Sequence, residues 1–303
     1  MRVLDYIFAA RPLLHLPIWS VYLVCLHYHL NLTGGDFAAT DLIMLAALSV
    51  MASSAYYFNQ IYDRESDRQN RKVLFLQQGV MTEMNLRTAS LTTALVSLIA
   101  AAWFSLQMLA VFATLFLMGY LYSAPPLRLK DRPFWGLFAN AFGFGFLIPF
   151  TVLPHIDVHN AGLLGWDTPF YFFLTIGGVY VLTTLPDRDG DRATGKRTVA
   201  VVLSRPMVLL VALVLMLGAV WVAYQRNQQS LAYLASIASL LILGAVFVRN
   251  QKFEHLAIKL PVLMLTLLAA WFFWGYLLFV VAMLIICRIY YYKRFDMIYP
   301  KMT

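Results

Sequence analysis

MVLLVALVLMLGAVWV, from Met207 to Val222, is a stretch without a single charge or polar side chain, and its reading decides the fold. Similar runs follow from Leu231 to Val248 and from Leu260 to Cys287. A helix needs about 20 residues to cross ~30 Å of hydrocarbon, and these runs approach or exceed that length. The bilayer core offers no water to backbone amides, so a crossing segment is a helix or part of a closed barrel. Barrel strands alternate apolar and polar residues over shorter segments, which these runs do not. The chain therefore reads as all-α, a polytopic membrane helix bundle.

Working outward, apolar segments fall at about 14–32, 41–61, 88–107, 108–123, 134–154, 167–185, 205–224 and 231–248, then in one long stretch from about 258 to 292. That last stretch reads as one long tilted helix or as two helices broken at its aromatic cluster, Trp271 to Tyr276, so the count is nine or ten crossings. Of the 303 residues, 61% are hydrophobic and 13% charged, against roughly 45–50% and 25% in soluble domains. With no linker or low-complexity tract, residues 1–303 form one membrane domain. The first apolar run lacks a small-residue cleavage pattern after it and reads as a retained helix. Cys25 and Cys287 lie inside apolar segments with no Cys/His cluster, so neither disulfide nor zinc is expected.

The net charge of +8 raises nucleic acid as a partner, but its placement argues for topology instead. Lys and Arg concentrate in 62–87, 124–133 and 186–206, whereas Asn31 to Thr40 and Pro154 to Thr168 contain none. By the positive-inside rule the three basic loops and the N-terminus face the cytoplasm, as in a bacterial inner membrane, and the lipid bilayer is the expected partner.

Six of the fifteen acidic residues occupy two short runs, Asn59-Gln-Ile-Tyr-Asp63-Arg-Glu-Ser-Asp67 and Asp187-Arg-Asp-Gly-Asp191. On a helix, spacing of four aligns Asn59, Asp63 and Asp67 on one face and Asp187 and Asp191 on another. Like charges so placed repel by a few tenths of a kcal/mol unless a cation joins them. Magnesium takes oxygen ligands, commonly one or two carboxylates together with substrate phosphates. Four crossings separate the two runs, so both reach the same side and could hold a diphosphate between them. Arginine follows Asp63, Asp67, Asp187 and Asp191 in turn, which suits a phosphate-bearing ligand. The plainer reading, solvated charge at helix ends, accounts poorly for this repetition.

Asn59-x-x-x-Asp63-x-x-x-Asp67 after the second helix, with Asp187-x-x-x-Asp191 and Gly195-Lys196-Arg-Thr198 after the sixth, resembles the UbiA superfamily of intramembrane prenyltransferases. Tyr122-Ser-Ala-Pro125-Pro126-Leu-Arg128-Leu-Lys130 after the fourth helix and Arg11-Pro12 before the first agree, and the likeness covers nearly the whole chain. Gln60 departs from the pattern, standing where many members have Asp, and residues 70–79 replace an Arg-Pro-rich run. The resemblance implies prenyl transfer from an allylic prenyl diphosphate to an aromatic or other lipophilic acceptor. It implies Mg2+ held by Asp63, Asp67, Asp187 and Asp191, with Asn59, Arg68, Arg192 and Arg11 on the diphosphate. Lys130 and Arg128 would stabilise charge on the departing diphosphate, and Tyr122 would hydrogen-bond it.

Two other classes compete. A CDP-alcohol phosphotransferase also uses intramembrane aspartates, but in a single motif with an Asp-Gly-x-x-Ala-Arg core that Asp189-Gly190-Asp191-Arg192 does not match. An ion-coupled carrier would place its acidic residues near the bilayer midplane. His155 and His159 flank Asp157 but fall on the opposite side of the membrane from both aspartate runs, and Gly143, Gly145, Gly177 and Gly178 read as close helix packing.

Overall fold

The computed structural model describes residues 3–64, 67, 75–153 and 166–299. These residues form helices and no strand. In chain order the helices are α1 Val3–Ala9, α2 Pro12–Thr33, α3 Ala39–Tyr62, α4 Glu83–Phe104, α5 Leu106–Ser123, α6 Pro133–Phe150 and α7 Asp167–Thr183. There follow two short pieces, α8 Arg188–Ala193 and α9 Val199–Val202, then α10 Arg205–Gln225, α11 Gln229–Phe247, α12 Gln251–Phe272 and α13 Trp274–Phe295. Among the described residues nine of these, all but α1, α7, α8 and α9, are at least 18 residues long and apolar enough to cross a membrane. The apolar α7, at 17 residues, packs among them against α6 and α10 and makes a tenth.

The long C-terminal stretch is two helices. Phe273 leaves helical geometry (φ −131°, ψ 84°) inside the aromatic cluster, and α13 runs back along the bundle. Its last turns meet α1: Tyr290 donates to Asp5 Oδ1 at 2.6 Å, so the first and last described helices meet at one end of the bundle. The break between α4 and α5 falls at Ser105, three residues before the expected boundary. Extended at that point, Ser105 accepts a hydrogen bond from the Met108 amide through its Oγ and caps the next helix. Thr82 and Asn85 form a reciprocal pair that starts α4.

Apolar side chains cover the outside, with Trp271, Phe247 and Leu106 each more than three-quarters exposed, as a surface solvated by lipid requires. Lipid removes most hydrophobic drive between helices, so close contact depends on small residues. Ala212, Ala219 and Ala223 on α10, and Ala235, Ala238 and Ala245 on α11, are fully buried, and the two helices pack together. Gly145 lies against the Phe172 backbone, where a Cβ would overlap its carbonyl, and Gly178 against Met216 and the Ala212 carbonyl. Gly143 differs from the packing expectation: no atom of a facing helix stands within 4 Å of where its Cβ would be. It faces a cavity.

Candidate active site

Hydrogen bonding carries the spacing of four through both acidic runs. The Asp63 amide donates to the Asn59 carbonyl at 2.9 Å, the Asp67 amide to Asp63 at 2.8 Å, and the Asp191 amide to Asp187 at 2.8 Å. The sequence thus places each carboxylate set on one face, at the end of α3 and on α8. Gly195, at φ 74°, then turns the chain back so that the Lys196 amide reaches the Asp191 carbonyl and the Lys196 side chain points between the two runs.

Together they enclose a polar cavity of about 200 Å³. Asn59, Asp63, Asp67, Tyr122, Lys130, Asp187, Asp191 and Arg11 line it, with Asp131, Tyr180, Thr183, Thr184, Lys196 and Thr198. Lys130 Nζ lies 2.6 Å from Asp63 Oδ1, Arg11 Nη2 3.0 Å from Asp67 Oδ2, and Lys196 Nζ 3.7 Å from Asp63 and 3.8 Å from Asp191. Thr198 donates to Asp191 Oδ2 at 3.1 Å. Burial pushes the Asp63 carboxyl up, but the ammonium groups of Lys130 and Lys196 outweigh it and hold the group below the usual carboxylate range. It therefore stays an anion at neutral pH. Burial also lowers the Lys130 ammonium, against the opposing pull of Asp63.

A second cavity, of about 570 Å³, continues from the first into the bundle between α2, α3, α5, α6, α7 and α12. Arg11, Asn59, Tyr122, Tyr180 and Thr183 line both, so the polar chamber opens into the larger one through a rim of hydroxyl, amide and guanidinium groups. Beyond the rim the walls are Leu48, Met51, Leu115, Gly143, Phe144, Ile148, Phe172 and Leu265. Tyr122 is the one aromatic residue that the sequence reading gave to the site. Phe144, Phe172, Tyr56 and Tyr171 nevertheless line this cavity.

Two candidates are not at the chamber. Arg128 is turned aside by its left-handed backbone (φ 42°), and its Nε pairs with Asp131 at 2.8 Å. Arg192 lies on the exposed face of α8, one helical step of about 100° from Asp191. Arg68, His155, Asp157 and His159 lie outside the described residues. Lys196 and Thr198 received no role from sequence, although they stand within the second motif. Tyr180, Thr183, Thr184 and Asp187 share one face by spacings of three, four and seven, a pattern the sequence offered.

A family model described as the UbiA prenyltransferase family matches residues 18–255. The chain belongs to this family. It is 24% identical over 265 residues to homogentisate phytyltransferase of a Synechocystis species, covering 80% of this chain and 82% of that one. It is 32% identical over 146 residues to a probable homogentisate phytyltransferase 2 of Oryza sativa, covering 44% of this chain and only 37% of that relative's length. A UbiA homolog from Archaeoglobus fulgidus, solved bound to DMAPP and Mg2+, superposes with a TM-score of 0.69 at 18% identity, over 88% of this chain and 97% of that one. Its fold is the fold found here, and the expected membrane helix bundle and family are borne out.

Proposed function

We propose that this protein is a magnesium-dependent intramembrane prenyltransferase that moves a prenyl group from an allylic diphosphate to a lipophilic acceptor. One observation carries the reading: a chamber built of two aspartate runs and three cations opens directly into a long apolar cavity. That shape suits an amphiphile with a polyanionic head and a hydrocarbon tail. Homogentisate phytyltransferase activity in a relative points to an aromatic acceptor as the first class to try.

The donor set fits magnesium. Among the described residues around the chamber there is no thiol or imidazole, and the carboxylates Asp63, Asp67, Asp131, Asp187 and Asp191 outnumber the cations Arg11, Lys130 and Lys196. Among the described residues no three carboxylates close on one point. That suits an ion whose remaining ligands come from water and substrate phosphate. Asp63, Asp67, Asp187 and Asp191 would hold it, and when bound it would neutralise the diphosphate and assist its departure. Lys130 and Lys196 place ammonium groups where charge develops on the leaving oxygens. Tyr122 and Tyr180 stand at the rim, where the allylic carbon would join tail to head, and the buried walls keep water from the reacting carbon.

Lys130 and Lys196 line the chamber and Arg188 and Arg192 lie on the helix that carries Asp191, so by the positive-inside rule the chamber faces the cytoplasm, in an inner membrane. The test is diphosphate release by purified protein from labelled prenyl diphosphates, with and without magnesium, in Asp63→Asn, Asp191→Asn and Asp189→Asn. Release should require magnesium and be lost in the first two variants only. Turnover that survives in Asp63→Asn and Asp191→Asn together would overturn the proposal.

A further inference from the structure

Gln60 sits inside the first aspartate run, yet it does not line the chamber. It is buried at 1% exposure, one helical step from Asn59, and faces the N-terminal helix α1. There its Nε2 donates to the Ala9 carbonyl at 2.6 Å. An aspartate or glutamate at this position would have no N–H to give, and would set a carboxylate against a carbonyl oxygen.

Gln60 belongs to a wider clasp. At the end of α1 the Tyr6 carbonyl accepts from the Tyr57 hydroxyl at 2.7 Å and the Phe8 carbonyl from the Tyr291 hydroxyl at 3.1 Å. The Tyr6 and Phe8 carbonyls also take the Ala10 and Arg11 amides, so the hydroxyls of Tyr57 and Tyr291, like the Gln60 amide on Ala9, add side-chain hydrogen bonds from α3 and α13 to the end of α1. At the other end of α1, Asp5 is fully buried. It accepts from Tyr290, from Arg294 Nε at 3.1 Å and from Arg294 Nη2 at 3.3 Å. Phe8 stacks on Tyr290 with ring centroids 3.6 Å apart.

Immediately beyond this anchored turn stands Arg11, in the left-handed region at φ 55°, ψ 62°. A residue other than glycine keeps that conformation only where its surroundings hold it. The Arg11 amide donates to the Phe8 carbonyl at 3.1 Å, and the reversal carries its guanidinium to Asp67 and over both cavities. We infer that Gln60 is a positioning residue: with the α1 clasp it fixes the backbone turn that holds Arg11 over the donor's diphosphate, so that it acts on donor binding through Arg11. The inference rests on the donor chamber proposed above.

The experiment uses the full-length protein in nanodiscs, with inorganic diphosphate and magnesium as the probe. Gln60→Met keeps the length of the side chain and removes the donor. It should weaken diphosphate binding about tenfold and speed hydrogen exchange at the Ala10 and Arg11 amides. Arg11→Ala should weaken binding at least as much, and adding Gln60→Met to Arg11→Ala should weaken it no further, since the two act in series. Asp5→Asn, at the far end of the clasp, should reproduce the exchange effect and part of the binding loss if Gln60→Met proves too unstable to assay. Losses from Gln60 and Arg11 that simply add, or wild-type affinity and exchange in Gln60→Met, would overturn the positioning role. Wild-type protein that bound no diphosphate would overturn the donor reading and this inference with it. Faster exchange in Gln60→Met would still establish the clasp as a structural anchor alone.

Discussion

Lys130 is the side chain whose chemistry is most constrained by its surroundings. It is 6% exposed, and its ammonium lies against Asp63 inside the chamber. Taking two charges out of water costs several kcal/mol per ion before their attraction repays it, so a pair built only for stability is a poor use of this position. A role on the departing diphosphate supplies a reason. Stabilisation confined to the transition state appears in kcat and leaves donor binding less changed. A donor of this kind is worth ~2.7–4 kcal/mol, so Lys130→Ala should slow single-turnover diphosphate release roughly a hundredfold or more at saturating donor and magnesium. Arg128→Ala should cost far less, because that guanidinium meets Asp131 from outside the chamber. An unchanged rate in correctly inserted Lys130→Ala protein would remove Lys130 from the chemistry. The contrast also marks where sequence reading ends at this scale: both residues sit in one basic segment, and only the left-handed backbone at Arg128 separates them.

At the level of elements, the long apolar runs and the spacing of four were legible because both follow from helix geometry and the thickness of a bilayer. Boundaries set by a single capping residue, such as Ser105, were displaced by a few residues. Glycine was legible only in part. Four glycines of α6 and α7 invite one explanation, yet Gly145 lies against the Phe172 backbone while Gly143, two residues away, faces open space. Which face of a helix meets a neighbour and which meets a cavity depends on the whole bundle. The pair makes a clean test. Gly145→Ala forces α6 from α7 and should destabilise the protein by about 1–3 kcal/mol, the usual cost of overfilling a packed contact. Gly143→Ala should leave stability close to wild type. Thermal unfolding of both variants in one detergent measures the difference, and equal losses would mean that α6 and α7 do not meet at Gly145.

Across the whole molecule, the packing of the apolar helices brings Asn59, Lys130 and Asp191, far apart in sequence, to one chamber, and leaves an apolar cavity beneath it. The chamber could be anticipated, since two acidic runs separated by four crossings must share a side. The cavity could not, because its walls are ordinary membrane residues distinguished only by where they face. If it holds the prenyl tail, its depth sets donor length, and Gly143 is the place to shorten it, for this glycine lines the cavity and a Cβ there meets no neighbouring side chain or facing helix. In a hydrophobic pocket a single methylene is worth about 1–3 kcal/mol, or roughly 10- to 200-fold in kcat/KM. Gly143→Leu should therefore reduce kcat/KM for long prenyl diphosphates at least tenfold relative to the shortest donor, whose tail needs the least of the cavity. Measuring both donors on the same preparation cancels any loss of active protein. A uniform fall at every chain length would show that the leucine harms the protein rather than the fit. An unchanged preference in a fully active variant would place the tail elsewhere and leave the apolar cavity for the acceptor.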